Sequence, residues 1–230
     1  MPMSLALLPS PLLGPSVWRP VARLLEAEGW NTVTCETSAA LLSAQDVLAA
    51  FLDVLPADRE LVLIPHSNAG AYVPALTTRR SVAGIVFVDA VLPPQQGRVS
   101  LASQASLAFL RGKAGADGML PVWTDWWEEA EVAALFPDRE TRDRLEQEQP
   151  RLPLSYFEDS LPVLEAWDDR PAAYLAFGET YGREREEAER RQWPVITATG
   201  RHLQLVNDPH QVVTDLVHLM NRIGIDSPQR

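Results

Sequence analysis

The chain has 230 residues, 46% hydrophobic and 22% charged, a balance that suits one large globular domain with a substantial core. Lys and Arg number 20 against 31 Asp and Glu, and the formal net charge of −11 argues against nucleic acid or an anionic membrane surface as partner. The lone cysteine, Cys35, excludes an internal disulfide and fits a reducing compartment.

Residues 1–13 are apolar but lack a basic start and are broken by Pro2, Pro9 and Pro11, so they do not read as a cleavable signal. No apolar run reaches the roughly 18 residues needed to span a bilayer, and a cytoplasmic location is the default expectation. Residues 3–8 read as a short buried strand running into a proline-rich loop, Pro9-Ser10-Pro11-Leu12-Leu13-Gly14-Pro15. Ser16 is the expected N-cap of a helix with Val17, Val21, Leu24 and Leu25 at helical spacing and Gly29 at its end. Residues 30–35 read as the next strand, with Cys35 as a core residue. Ser43 caps a second helix that buries Val47, Leu48, Phe51, Leu52 and Leu55 and stops at Pro56.

The stretch 61–70 organises the rest: Leu-Val-Leu-Ile-Pro-His-Ser-Asn-Ala-Gly. Its apolar start is that of a strand buried on both faces. The run breaks at Pro65, reaches Ser67, passes the small residues Ala69 and Gly70, and turns helical through Tyr72 and Leu76. A serine on a sharp strand-to-helix turn is the geometry of a nucleophile elbow, which lifts Oγ above the sheet and sets backbone N–H groups behind it. The usual Gly-x-Ser-x-Gly is here Pro65-His66-Ser67-Asn68-Ala69, and Pro65 brings a fixed φ and no N–H. The alternative is an ordinary turn with a capping serine.

Residues 82–88 form another continuous apolar strand, with Asp89 at its C-terminal end. Strands alternating with helices predict a parallel sheet covered by helices on both faces. Binding sites in such sheets gather at the C-terminal strand ends, the edge that should hold Ser67, Asp89 and the loop at 10–12. The alternation stops at Pro93 and resumes near Pro171. Between them no strand is convincing, and helical patterns run through Leu101, Leu107, Phe109 and Leu110, then Trp123, Trp126, Trp127, Val132, Leu135 and Phe136. The expectation is a helical cap inserted at about 93–170 in a single domain spanning 1–230. Its tryptophans either wall an apolar substrate pocket or glue the cap to the core.

Residues 172–177 read as a strand ending in Gly178-Glu179-Thr180-Tyr181. Residues 183–191 form a charge-dense helix with Glu186–Arg190 and Glu187–Arg191 at i,i+4, expected to be solvated and without catalytic role. Residues 193–197 are the last strand, followed by Gly200-Arg201-His202. Asp208 then caps a helix begun by Pro209 with a buried stripe of Val212, Val213, Leu216, Leu219 and Met220, and the tail after Ile225 is expected to fray.

Elbow serine, acid, then a histidine before the final helix is the chain order of the α/β-hydrolase fold. With Leu13-Gly14-Pro15-Ser16-Val17-Trp18, the 65–70 elbow, Asp89-Ala90 with Pro93, and Gly200-Arg201-His202 before Asp208-Pro209, the sequence resembles that family over nearly its whole length. The resemblance implies a Ser67 nucleophile and a His202 base, with His66, His210 and His218 weaker candidates. The family's commonest acid position, after the next-to-last strand, holds Tyr181, with Glu179 two residues early. Asp89 occupies the family's alternative acid position and is preferred, with Glu179 kept as the other choice. One oxyanion donor is expected from the Asn68 N–H. The second normally comes from the loop after the first strand, where Pro11 has no N–H, leaving the Leu12 N–H or the Ser10 hydroxyl.

The resemblance implies no metal and no organic cofactor. The leading expectation is hydrolysis of an ester, thioester or similar acyl bond in a largely apolar small molecule. The alternatives are a lyase, cyclase or isomerase using Ser67 and His202 as acid–base groups, or a non-catalytic module that holds a ligand.

Overall fold

The structure, a computed structural model, describes residues 3–36, 42–226 and 228. The tail expected to fray lies largely outside the described residues. In chain order the elements are β1 (Met3–Leu8), α1 (Arg19–Ala27), β2 (Thr32–Thr34), α2 (Ala44–Val54), β3 (Glu60–Ser67), α3 (Val73–Thr77) and β4 (Val82–Ala90). Next come β5 (Gly97–Ser100), α4 (Gln104–Lys113), α5 (Glu129–Ala133), α6 (Arg139–Glu148), α7 (Leu154–Glu158) and β6 (Ser160–Val163). The chain closes with β7 (Ala172–Phe177), α8 (Gly182–Arg190), β8 (Val195–Ala198), α9 (Gln204–Asn207) and α10 (Pro209–Arg222).

Six strands form one sheet in the order β2-β1-β3-β4-β7-β8, every neighbouring pair parallel. The apolar runs at 61–64 and 82–88 lie in its two central strands, where both faces are covered and no alternation of polar residues is needed. The chain steps one way from β1 to β2 and the other way from β3 onward. Right-handed crossovers therefore put α1 on one face and α2, α3 and α8 on the other. α10 returns to pack against α1, β4 and β7, and its expected stripe, Val212, Val213, Leu216, Leu219 and Met220, is buried.

Several local expectations are corrected. Ser16 does not cap α1. It lies in a short 3-10 turn (Pro15–Val17), and its N–H and hydroxyl both bond the Glu148 carboxylate at the end of α6. The strand expected over 30–35 shrinks to β2, although Trp30 and Cys35 are buried beside it. Burial also pushes the Cys35 thiol above its usual range, as suits a core residue. Ser43 does cap α2, accepting from the Asp46 N–H.

The segment between β4 and β7 is not purely helical, because β5 and β6 pair as an antiparallel ribbon. Of β5 only Val99 is buried, so the strand carries no apolar run to betray it. Its partner lies far along the chain, and only the tertiary fold brings the two together. Within the same segment Trp167 is glue, fully buried against Phe87, with its Nε1 donating to the Pro94 carbonyl.

α8 also departs from expectation. Glu187 and Arg191 pair at 2.8 Å as foreseen, but Arg190 turns to Glu187 at i,i+3 instead of Glu186. Arg191 lies over the Trp167 and Trp193 rings and donates to the Pro93 carbonyl. Glu184 and Glu186 face a cleft at the C-terminal edge of the sheet rather than open solvent alone.

Candidate active site

Ser67 ends β3 with φ 58° and ψ −129°, a backbone conformation that a non-glycine residue adopts only when its surroundings impose it. They do so here through a close approach. A Cβ on Gly70 would stand 1.9 Å from the Val91 carbonyl oxygen, and the Val91 N–H donates to the Ser67 carbonyl at 3.0 Å. The first turn of helix after Ser67 is thus pressed against the exit of β4, and Ser67 is left at the bend. Asn68 opens that turn (Asn68–Tyr72), where the first N–H groups have no intrahelical partner.

Asp89, with φ 41°, stands near the end of β4 and is fully buried. One carboxylate oxygen accepts the Phe177 N–H at 3.1 Å, and the other lies 2.6 Å from His202 Nδ1. That contact fixes the ring so that Nδ1 faces the carboxylate and Nε2 is turned away from it. Glu179, the other acid considered, is 80% exposed in its side chain and pairs with Arg185 at 3.1 Å. The structure therefore brings Asp89 to His202 and places Glu179 elsewhere.

His66, a weaker candidate for the base on sequence, is a partner of the His202 imidazole. Its buried ring stacks on His202 at 4.6 Å between centroids, and its Nε2–H donates to the His202 carbonyl at 3.0 Å. Burial holds His66 well below the ordinary histidine range, and the neighbouring His202 adds to that. The ring is therefore a neutral plate against which His202 rests. His210 and His218 are exposed on α10.

Tyr181 is the second residue whose part was not foreseen. Its hydroxyl lies 3.3 Å from Ser67 Oγ and its ring centroid 5.6 Å from that of His202. Among the described residues this is the side-chain hydrogen bond of Ser67, and none joins Ser67 to His202. The signal was present: Tyr181 fills the position where the resemblance places an acid. Its phenol excluded it as a carboxylate, but nothing local showed that it would reach the serine.

The side chain of Asn68 is turned into the segment above. It accepts from the Tyr156 hydroxyl at 2.6 Å, which in turn is 2.8 Å from the Tyr72 hydroxyl, and its Nδ2 donates to the Leu101 carbonyl at 2.8 Å. In the loop after β1, the Leu12 N–H is directed to Ser10 Oγ at 3.4 Å and the Leu13 N–H to the Ser10 carbonyl at 3.0 Å.

Leu12, Ser67, Asn68 and His202 open on one cleft of about 1050 Å³. The segment between β4 and β7 supplies its apolar wall, including Leu110, Trp123, Trp126, Trp127 and Phe157. Burial raises the carboxyl of Glu184, at the rim of the cleft, above the ordinary range. A second hollow, about 610 Å³ beside α5 and α6, is lined by charges that already pair, Arg142 with Glu129 and Glu146. No cluster of three or more His, Cys, Asp or Glu suited to a metal ion occurs among the described residues. Nor is any helix among them long and apolar enough to cross a membrane.

No protein-family model matches the sequence, and no curated protein does. Solved structures are similar in fold. A variant of tomato methylketone synthase I is 14% identical, with a TM-score of 0.75 and coverage of 97% of this chain and 99% of that one. An extracellular α/β-hydrolase from a Paenibacillus species is 16% identical, with a TM-score of 0.70 and coverage of 98% and 100%. A pyrethroid hydrolase from Sphingobium faniae is 15% identical, with a TM-score of 0.70 and coverage of 95% and 98%. Together with the parallel sheet and its elbow, these likenesses establish the fold of the chain as that of the α/β-hydrolases.

Proposed function

With the α/β-hydrolase fold as premise, we propose that this chain is a serine hydrolase of an ester, thioester or similar acyl bond in a largely apolar small molecule. The observation that supports it most is the Asp89–His202 pair, 2.6 Å apart at the cleft into which the strained Ser67 projects. In this reading Ser67 Oγ turns from Tyr181 toward His202, a rotation about one side-chain bond. Catalytic hydrogen bonds are often unmade until substrate is present.

His202 Nε2 takes the Ser67 proton as Oγ bonds the acyl carbon, and Asp89 steadies the imidazolium that results. The Asn68 N–H bonds the oxyanion, and the Leu12 N–H, the other donor considered, is directed to Ser10 Oγ at 3.4 Å. The intermediate collapses as the C–O or C–S bond breaks, and His202 gives its proton to the leaving alcohol or thiol. Water then gives a proton to the same imidazole and bonds the acyl carbon, and His202 passes that proton to Ser67 Oγ as the acyl C–Oγ bond breaks. The insertion at about 93–170 is the cap, and its Trp123, Trp126 and Trp127 form the apolar wall for the acyl or alcohol chain.

Some neighbours in fold are described as esterases and a pyrethroid hydrolase, and the tomato enzyme has been solved with 2-tridecanone, an apolar chain. Those descriptions suit a cleft with an apolar wall. The test is a fluorophosphonate probe with the Ser67→Ala variant. Labelling at Ser67 and ester hydrolysis, both lost in the variant, are the expected results. A wild-type chain that neither reacts with the probe nor hydrolyses any acyl ester removes the proposal.

Two observations favour a second reading, acid–base chemistry without a covalent serine adduct: Ser67 is hydrogen-bonded to Tyr181, and Pro11 removes an N–H from the loop. Turnover that survives Ser67→Ala but not His202→Ala would establish it. Stable ligand binding without turnover, indifferent to both variants, would instead mark a binding module.

A further inference from the structure

The loop after β1 is short of donors. Pro9 and Pro11 have no N–H, and the N–H groups of Leu12 and Leu13 are both directed at Ser10, at 3.4 and 3.0 Å, which leaves the N–H and hydroxyl of the buried Ser10 as the remaining donors at its start. A tetrahedral oxyanion bonded only by the Asn68 N–H would be undersupplied, since one donor contributes about 10²–10³ in rate. On the other side of the cleft a hydroxyl is available. The turn from Gly178 to Tyr181 carries the Tyr181 side chain back over the sheet edge, to 3.3 Å from Ser67 Oγ. Its ring rests against the His202 ring, with the two planes at 37°.

We infer that the Tyr181 hydroxyl is a catalytic hydrogen-bond donor, serving as the second oxyanion partner beside the Asn68 N–H in place of the proline-interrupted loop. The inference rests on the hydrolase reading. In the free protein the Tyr181 hydroxyl and Ser67 Oγ share a hydrogen bond at 3.3 Å. As Oγ attacks, its proton passes to His202 and its lone pair becomes the new C–O bond. The acyl oxygen gains negative charge on the same carbon, next to Oγ, and the Tyr181 hydroxyl shifts its hydrogen bond to that stronger acceptor. Tyr181 keeps its proton throughout, so the step needs no further acid or base. Burial chiefly, and the Asp89 charge in addition, push the phenol above its ordinary range, so it donates without ionising.

A plain structural role for Tyr181 would be met by the ring alone, which makes Tyr181→Phe the decisive variant. Hydrolysis of p-nitrophenyl esters is measured together with affinity for two ligands of equal chain length. One is a trifluoromethyl ketone, which adds Ser67 and forms an oxyanion; the other is the corresponding alkyl ether, which cannot. The expected result is kcat down by about 10²–10³-fold, with KM within about threefold of wild type. Ketone affinity should fall in parallel and ether affinity should stay unchanged. Near-wild-type kcat, or an equal loss of both ligands, overturns the inference alone. A wild-type chain that hydrolyses none of the esters and forms no ketone adduct overturns the hydrolase reading and this inference with it.

Discussion

Asp89 has no water to fall back on. It is fully buried, and its two oxygens are taken by the Phe177 N–H and by His202 Nδ1. Replacing one oxygen by an amide keeps the volume but puts a donor where the imidazole needs an acceptor, so the ring takes the wrong tautomer. Asp89→Asn is therefore expected to lower kcat by about 10⁴-fold. Glu179→Gln should leave it unchanged, since that carboxylate is exposed and tied to Arg185. Steady-state ester hydrolysis by the two variants decides the matter, and equal effects would return the acid role to dispute. Both carboxylates were legible as candidates in the sequence. The choice between them turned on where β4 and β7 end, which fixes the direction each side chain takes.

At the scale of elements, the site is made by the approach of two strand exits. β3 ends in the elbow, β4 ends beside it, and Gly70 is the point at which the two backbones touch. Gly70→Ala is expected to destabilise the chain by about 3 kcal/mol, because its new methyl would meet a carbonyl oxygen held by the sheet. For a chain of this size that is a fall in Tm of about 6–12 °C, at about 2–4 °C per kcal/mol. Scanning calorimetry measures it, and an unchanged Tm would mean that the contact is not tight. The elbow was readable because an apolar run, a bend and small residues lie close together in sequence. The β5–β6 ribbon was not. Its strands have four residues each, β5 buries only Val99 and β6 only Leu161 and Val163, and their stability comes from each other across a long separation.

Over the whole molecule, the segment between β4 and β7 is tied down around the site rather than hinged at one edge. Glu148 at the end of α6 grips Ser16 in the loop before α1, Tyr156 of α7 grips Asn68, and Arg201 and Asn207 donate to the Ala134 and Leu135 carbonyls. His66 lies beneath the site as a buried neutral ring, and this gives folding a pH dependence. Its folded pKa is depressed, so the unfolded chain takes up the proton first. The stabilisation is complete above the unfolded value, about 6.5 for histidine, and is lost as pH falls below it. The slope reaches up to about 1.4 kcal/mol per pH unit. Chemical denaturation at pH values on either side of that point should show this loss, and His66→Gln should reduce the slope. An undiminished slope in the variant would assign the dependence to other groups.

The sequence by itself determined the alternation of strand and helix, the serine at a bend, the histidine after the last strand and the order in which they occur. Apolar periodicity, turn residues and caps act over a few neighbours, so they can be read from a single chain. Tertiary structure alone decided that Asp89 and not Glu179 meets His202, that His66 supports the imidazole from below, and that Tyr181 reaches Ser67. Each of these contacts joins residues far apart in the chain. Side-chain direction at a strand exit depends on the register and twist of the neighbouring strands, which the local pattern does not encode.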